Sequence, residues 1–387
     1  MISQSNCGLY GEIYTCSQFA YRDMRDIFKL SVLAGVLWGG ALADDAEDSF
    51  RVGVGEIAAS AGLGYRENAL YSEILPIDSS FAYAAVEGGM QKDFISSGAE
   101  WVTMFMLDNR SYLSRSDLPD ETFGMLMSEF GKYATIDGRV ALEFQYVYLS
   151  QAFDASFDIE EENRIHLRIQ EPGLFLKWNS FFWKFEYEAT VGASRMYFQD
   201  STNDYETIDW ELEAAHKIDD QSLFFLSANG FARDYTDRNA RDLDGFSISD
   251  SRLGTDRVAF EAGYERSFQI GELEGVWELE GIYRQRRDRH SGYYDRDRIK
   301  LGMEGELRGE KWTLYADIYY SQSEYLNQIS DDGALRRSDE WVWELEIDRQ
   351  LNDRWSAFTR INSEISDSNE SFFSYRTNSV LLGMSYR

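Results

Sequence analysis

Cysteine, proline and histidine are nearly absent from this 387-residue chain, and basic residues are outnumbered. Each scarcity excludes something. The two cysteines, Cys7 and Cys16, both lie ahead of a segment resembling an export signal, and no Cys/His metal cluster or Gly-rich phosphate loop occurs. Three prolines (Pro76, Pro119 and Pro172) leave long stretches free to pair as strands. Lysine and arginine number 38 against 68 acidic residues, for a formal charge of -30. Phosphate would be repelled by that balance, which argues against nucleic acid as a partner. The longest uncharged apolar run, Leu30 to Ala43, spans 14 residues and is too short for a membrane-spanning helix.

Aromatics reach 15% of the chain and glycine numbers 30, a profile of a β-rich protein rather than a disordered acidic one. Met24 to Lys29 makes a short charged start, Leu30 to Ala43 an apolar stretch, and Ala41-Leu42-Ala43 a cleavage pattern. These features predict Met24 as the true start, 24–43 as a signal peptide within a non-mature leader 1–43, and 44–56 as a periplasmic lead segment. The leader carries three acids and three bases, so the exported chain keeps its charge.

From 57 to 387 a period of two recurs in sixteen candidate strands: 57–70, 81–92, 98–111, 121–134, 139–151, 164–178, 181–198, 205–217, 222–236, 255–269, 273–288, 294–308, 311–326, 338–350, 353–366 and 374–387. The fifth is the cleanest, with Val140, Leu142, Phe144, Tyr146 and Tyr148 on one face. In the sixth, apolar parity switches across Pro172, which predicts a bulge. Connections after even strands are short, Asn179-Ser180 and Gly309-Glu310 among them, whereas 152–163, 237–254, 327–337 and 367–373 are longer and polar. Short turns alternating with long loops are the habit of bacterial membrane barrels. The expected fold is an all-β transmembrane antiparallel up-and-down β-barrel of about sixteen strands, with fourteen also admissible and both termini periplasmic. Loop 237–254, the longest, is the candidate for a constriction.

Trp101, Trp178, Trp183, Trp277, Trp312 and Trp355 stand near the short-turn ends of their strands, as an interfacial girdle would, with Trp210, Trp341 and Trp343 toward the other rim. On the opposite strand face Trp-Glu-Leu-Glu recurs at 210–213, 277–280 and 343–346, with variants at 185–188 and 303–306. The predicted lumen lining is therefore Glu186, Glu188, Glu211, Glu213, Glu278, Glu280, Glu304, Glu306, Glu344 and Glu346, partly countered by Lys184, Lys300, Arg308 and Arg360. Carboxylates in such numbers favour cations and small cationic solutes. The alternative is a solvated wall in a protein adapted to a saline habitat. The three copies stand at different depths, which argues against one binding ring.

Catalytic chemistry is thin: His290, near Asp295 and Asp297, is the one candidate for an outer-rim hydrolase. Asp234, Asp237, Asp242 and Asp244 lack EF-hand spacing, so neither a metal nor a cofactor is expected.

The ending Tyr375-Arg376-Thr377-Asn378-Ser379-Val380-Leu381-Leu382-Gly383-Met384-Ser385-Tyr386 resembles the closing strand of Gram-negative outer-membrane β-barrels, and Gly62-Leu63-Gly64-Tyr65 resembles their first strand. Similar endings occur in porin-like proteins and in the barrels of exopolysaccharide exporters and surface-lipoprotein assembly modifiers. The resemblance implies an outer-membrane location, lipid contact, and recognition of 374–387 by the barrel-assembly machinery. It implies a pore or transport channel first and an export or assembly component second. The chain departs from the class in ending on Arg387 rather than an aromatic residue.

Overall fold

The computed structural model describes residues 55–74, 76–94, 97–135, 138–154, 164–330, 332–370 and 373–387. The predicted leader, signal peptide and nearly all of the lead segment lie outside the described residues. Sixteen antiparallel strands follow one another around a closed barrel. They are β1 (Glu56–Glu67), β2 (Ser79–Phe94), β3 (Ala99–Tyr112), β4 (Glu121–Thr135), β5 (Gly138–Asp154), β6 (Arg164–Phe182), β7 (Phe185–Phe198) and β8 (Tyr205–Asp219). The second half comprises β9 (Ser222–Tyr235), β10 (Gly254–Ile270), β11 (Leu273–Asp288), β12 (Arg296–Arg308), β13 (Trp312–Ile329), β14 (Leu335–Gln350), β15 (Trp355–Ser368) and β16 (Tyr375–Tyr386).

Closure is direct. β16 pairs with β1 in a register that sets Gly62 against Gly383, Gly64 against Leu381 and Leu63 against Leu382. No strand is left with a free edge, so every ladder N–H and C=O has a partner. Side chains alternate about this closed wall. Leu381 is 5% exposed and points inward, whereas its neighbour Leu382 is 58% exposed and points out. Directly opposed residues share a face, so the register carries that assignment around all sixteen strands. The outward face is apolar along the strand middles, with Leu142, Leu176, Leu212, Leu301 and Met384 all exposed. The inward face is mixed: Glu143 is fully buried there, and Phe81, Met125, Phe358 and Leu381 are buried on the same face.

The expected strands and the observed ones coincide within a few residues, with two corrections. The register of β6 runs unbroken across Pro172, from Asp154↔Arg164 to Gly138↔Ser180. No residue is inserted, so there is no bulge. The parity switch is instead a real exchange of faces: Leu167 and Ile169 are buried inside, whereas Leu174 and Leu176 are exposed outside. The reason is length, since 19 residues reach roughly 60 Å and a membrane crossing needs about 9–11. Beyond that span the outward face of β6 carries His166, Arg168 and Gln170. Irregular pairing falls near strand ends instead, at Tyr133/Thr135, Lys217/Asp219 and Glu324/Ile329. The second correction moves a turn: Asn179 and Ser180 belong to β6, and the chain reverses at Trp183 and Lys184. Trp183 adopts a positive φ of 61°, which two residues linking paired strands require.

Candidate functional site

All ten predicted glutamates lie on the inward face. In one cross-strand row Glu265 opposes Glu278, Glu278 opposes Glu304, Glu304 opposes Asp317, and Asp317 opposes Glu344. The copies of the repeated motif at 277–280 and 343–346 therefore contribute to the same row. The copy at 210–213 does not: Glu213 faces Glu188, and Glu211 faces Thr190. Because barrel strands tilt, such a row climbs the wall as an oblique stripe rather than a level ring.

Several of these carboxylates are held by neighbours. Glu280 pairs with Lys300 at 2.8 Å, Glu306 with Arg308 at 2.6 Å and Glu346 with Arg360 at 2.6 Å. Glu188 accepts from the Asn179 side-chain amide at 2.8 Å. Lys184 is in the β6–β7 turn, where its carbonyl accepts from the Lys217 N–H. Periodicity read within single strands misses Glu265 and Asp317, because neither belongs to a Glu-x-Glu pattern and only the register aligns them with the rest.

Two further charge networks brace the wall. Glu121 takes Arg66 at 2.9 Å, the Tyr112 hydroxyl at 2.6 Å and Arg110 at 3.6 Å. Below it Lys177 reaches Glu143 at 2.6 Å and Glu129 at 3.3 Å, and Arg139 pairs with both Glu100 and Glu129.

At the long-loop end of the barrel the segment 68–74 packs against the inner wall. Ala69 and Leu70 are buried against Leu118 and Ala152, and the Tyr71 ring meets Phe153 of β5 at 5.9 Å and Tyr375 of β16 at 5.4 Å. Phe153 and Tyr375 face inward from well-separated strands, so Tyr71 projects across the inner wall. Its φ of 55° is unfavourable for a bulky residue, and the surrounding packing holds it there. The loop 237–254, the candidate constriction, makes contacts to the neighbouring loop: Arg238 donates to the Tyr294 hydroxyl at 3.1 Å, and Ser291 donates to the Arg241 carbonyl. Leu243 and Phe246 are exposed at its tip. Tyr71→Ala should raise the unitary conductance in planar bilayers, and an unchanged current would show that this ring does not restrict the path.

The six tryptophans of the expected girdle stand near the short-turn ends. Trp312 and Trp355 begin β13 and β15, Trp101 lies near the start of β3, and Trp183 is in a turn. Trp355 meets Tyr386 edge-on at 5.0 Å, Trp277 packs on Tyr264 at 5.4 Å, and Arg349 lies over Trp312. Trp101, Trp178, Trp312 and Trp355 are exposed on the outward face. Trp210, Trp341 and Trp343 also face outward, beginning about six residues inside the long-loop ends of β8 and β14.

At the outer rim, His290 is bound through Nε2 to the Arg252 carbonyl, and its backbone N–H donates to Asp288 at 2.8 Å. Arg289 bridges Asp256 and Asp234, whose hydrogen bonds raise its pKa further above neutrality. Asp242 accepts from the N–H groups of Asp244 and Phe246 and so closes its own loop. Asp234 and Asp242 are thus engaged separately, and among the described residues no acidic or His cluster could hold a metal ion.

No protein-family model matches this chain, and no curated protein matches it either. Solved structures resemble it in fold. Outer-membrane expressed OmpT of Vibrio cholerae is 12% identical, covering 89% of this chain and 99% of its own at a TM-score of 0.43. OccAB3 of Acinetobacter baumannii is 8% identical, with 86% and 98% covered and a TM-score of 0.46. A bacterial polysaccharide outer membrane secretin is 11% identical, with 85% and 98% covered and a TM-score of 0.44.

Proposed function

We propose that this barrel is a pore or transport channel of the Gram-negative outer membrane whose acidic lumen favours cations. The observation that carries the reading is the row Glu265, Glu278, Glu304, Asp317 and Glu344 on the inner wall of a closed barrel. Carboxylates in adjacent strands raise the local concentration of cations and repel anions, most strongly at low salt. The other face supports the location. Exposed Leu, Ile, Phe and Trp side chains spread over most strands of the barrel suit lipid and would aggregate in water. The tryptophans near the turn ends would anchor the wall at the headgroups, and 374–387 would be the segment read by the assembly machinery. With the short turns periplasmic, β1 begins and β16 ends on that side.

Purified protein in a planar bilayer across a KCl gradient tests this reading. The reversal potential should report cation preference, and Glu278→Gln/Glu304→Gln/Glu344→Gln should move it toward the nonselective value. Absent conductance or a clear anion preference would refute the proposal. An unchanged potential in the triple variant would reduce these glutamates to solvated wall.

A further inference from the structure

Four of the chain's ten methionines stand together on the inner wall of β3 and β4. Met104 is directly opposite Met127, and Met106 is directly opposite Met125. All four face inward, because Leu107 and Leu126, which alternate with them, are exposed on the outward face. Opposed residues of an antiparallel pair have Cβ atoms about 5 Å apart, and diagonal ones lie about 7–8 Å apart. The methionine side chain is unbranched and flexible, so sulfurs carried at these spacings can converge on one point between the strands.

Methionine commonly fills gaps in packed cores, and Met125, 4% exposed, fits that role taken alone. The other three do not, since Met104, Met106 and Met127 are only half-buried. One flank of the quartet is also open. Gly89 of β2 is opposite Met104, and a Cβ there would meet only the Met104 Cγ and the Thr103 carbonyl oxygen, both at 3.7 Å. On the other flank Gln145 is opposite Met127 and Val147 is opposite Met125. Two carboxylates border the sulfurs: Glu87 is opposite Met106, and Asp108 lies two residues beyond Met106 on the same face. Glu129, two residues past Met127, is already held by Arg139 and Lys177.

Thioethers are soft, neutral donors with no proton to lose, and they prefer soft metal ions to the hard cations that carboxylates take. Bordering carboxylates offset the charge that a monovalent ion would bring to a neutral donor set. We propose that Met104, Met106, Met125 and Met127 form a binding site for a soft monovalent metal cation, Cu(I) or Ag(I). The inference rests on the channel reading in one respect, that the site is reached through the lumen.

The test is equilibrium binding, which does not depend on conductance or selectivity. Ag(I) is the probe, because it needs no reductant to stay monovalent. Silver nitrate is titrated calorimetrically into the full chain in detergent micelles and chloride-free buffer. Cys7 and Cys16 would bind silver themselves, so every protein titrated carries Cys7→Ser/Cys16→Ser. One saturable equivalent per barrel is expected, and excess calcium nitrate should not displace it. Met104→Leu/Met106→Leu/Met125→Leu/Met127→Leu keeps the wall apolar at similar volume and should weaken binding by about tenfold or more, as loss of metal ligation does. Met303→Leu/Met384→Leu, on the outward face, should leave it unchanged. Silver-edge X-ray absorption of the parent supplies a readout that needs no quartet variant to fold, and sulfur neighbours are expected. The proposal is overturned if silver does not bind saturably, if calcium displaces it, or if its neighbours are oxygen and nitrogen alone. It is also overturned if the quadruple variant binds silver as tightly as the parent, which would leave the quartet an apolar patch of wall. Silver binding by a barrel without conductance or cation preference would sink the channel reading and leave this site standing.

Discussion

Gly383→Val should prevent the barrel from closing. Gly383 is paired with Gly62 at the seam between the last strand and the first. A Cβ on Gly383 would stand 2.6 Å from the Ala61 carbonyl oxygen and 2.3 Å from the Phe358 ring, and one on Gly62 would stand 2.5 Å from the Leu382 carbonyl oxygen. A ring can turn aside. A carbonyl locked in the ladder moves only if the strands part, and parted strands leave backbone groups unpaired in lipid. Overpacking a tight site costs about 1–3 kcal/mol, and broken pairing adds to it. The ratio of folded to unfolded barrel, read from the faster gel migration of unboiled barrel, should fall by about tenfold or more, which corresponds to ~1.4 kcal/mol. Phe358→Ala should not rescue Gly383→Val, because the Ala61 carbonyl remains. Gly281→Ala should fold normally, since its nearest neighbour is the flexible Leu301 side chain at 3.5 Å. Normal folding of Gly383→Val would mean that the seam is looser than its geometry implies.

Removing one carboxylate should also destabilise the barrel strongly. Glu121→Ala would leave Arg66, only 6% exposed, without the charge that both oxygens of Glu121 now supply at 2.9 Å. Tyr112 would remain within 3.3 Å of Arg66, but a hydroxyl cannot replace an anion. Stranding a buried charge costs about 3–5 kcal/mol, and Arg110 loses its neighbour as well. Urea unfolding of vesicle-reconstituted protein should show that loss. Arg66→Met/Glu121→Leu should be less destabilised than the single variant, because no charge is then left unpaired. The exposed pair Arg115–Asp117 supplies the contrast, with Asp117→Ala expected to cost about 0–1 kcal/mol. A similar small loss for Glu121→Ala would show that water reaches Arg66.

Much of this architecture is legible one strand at a time. Val140, Leu142 and Phe144 alternating with Ala141 and Glu143 declare a two-sided wall without reference to any partner. The closing strand is equally plain: Val380, Leu382, Met384 and Tyr386 all emerge on the exposed face. Sequence pattern and structure part where local periodicity and global geometry diverge. Parity at Pro172 reads as a bulge only if one face must stay apolar along the whole strand, and β6 is longer than its apolar outward stretch. The inward reach of Tyr71 is not legible in the sequence, because loop length does not reveal the direction in which a loop folds.

The candidate site divides in the same way. Inward placement of Glu278, Glu304 and Glu344 follows from period two, a property of the extended backbone itself. That Glu278, Glu304, Asp317 and Glu344 stand in one row, and that Met104 and Met106 stand against Met127 and Met125, follows from register. Register is set by where each turn reverses the chain and by the requirement that β16 meet β1, and a shift in a single pairing would realign every row beyond it. The sequence by itself therefore determined the strands, their faces and the two-sided wall. Only the closed barrel decided which charges are neighbours, because that depends on pairings between residues far apart in the chain.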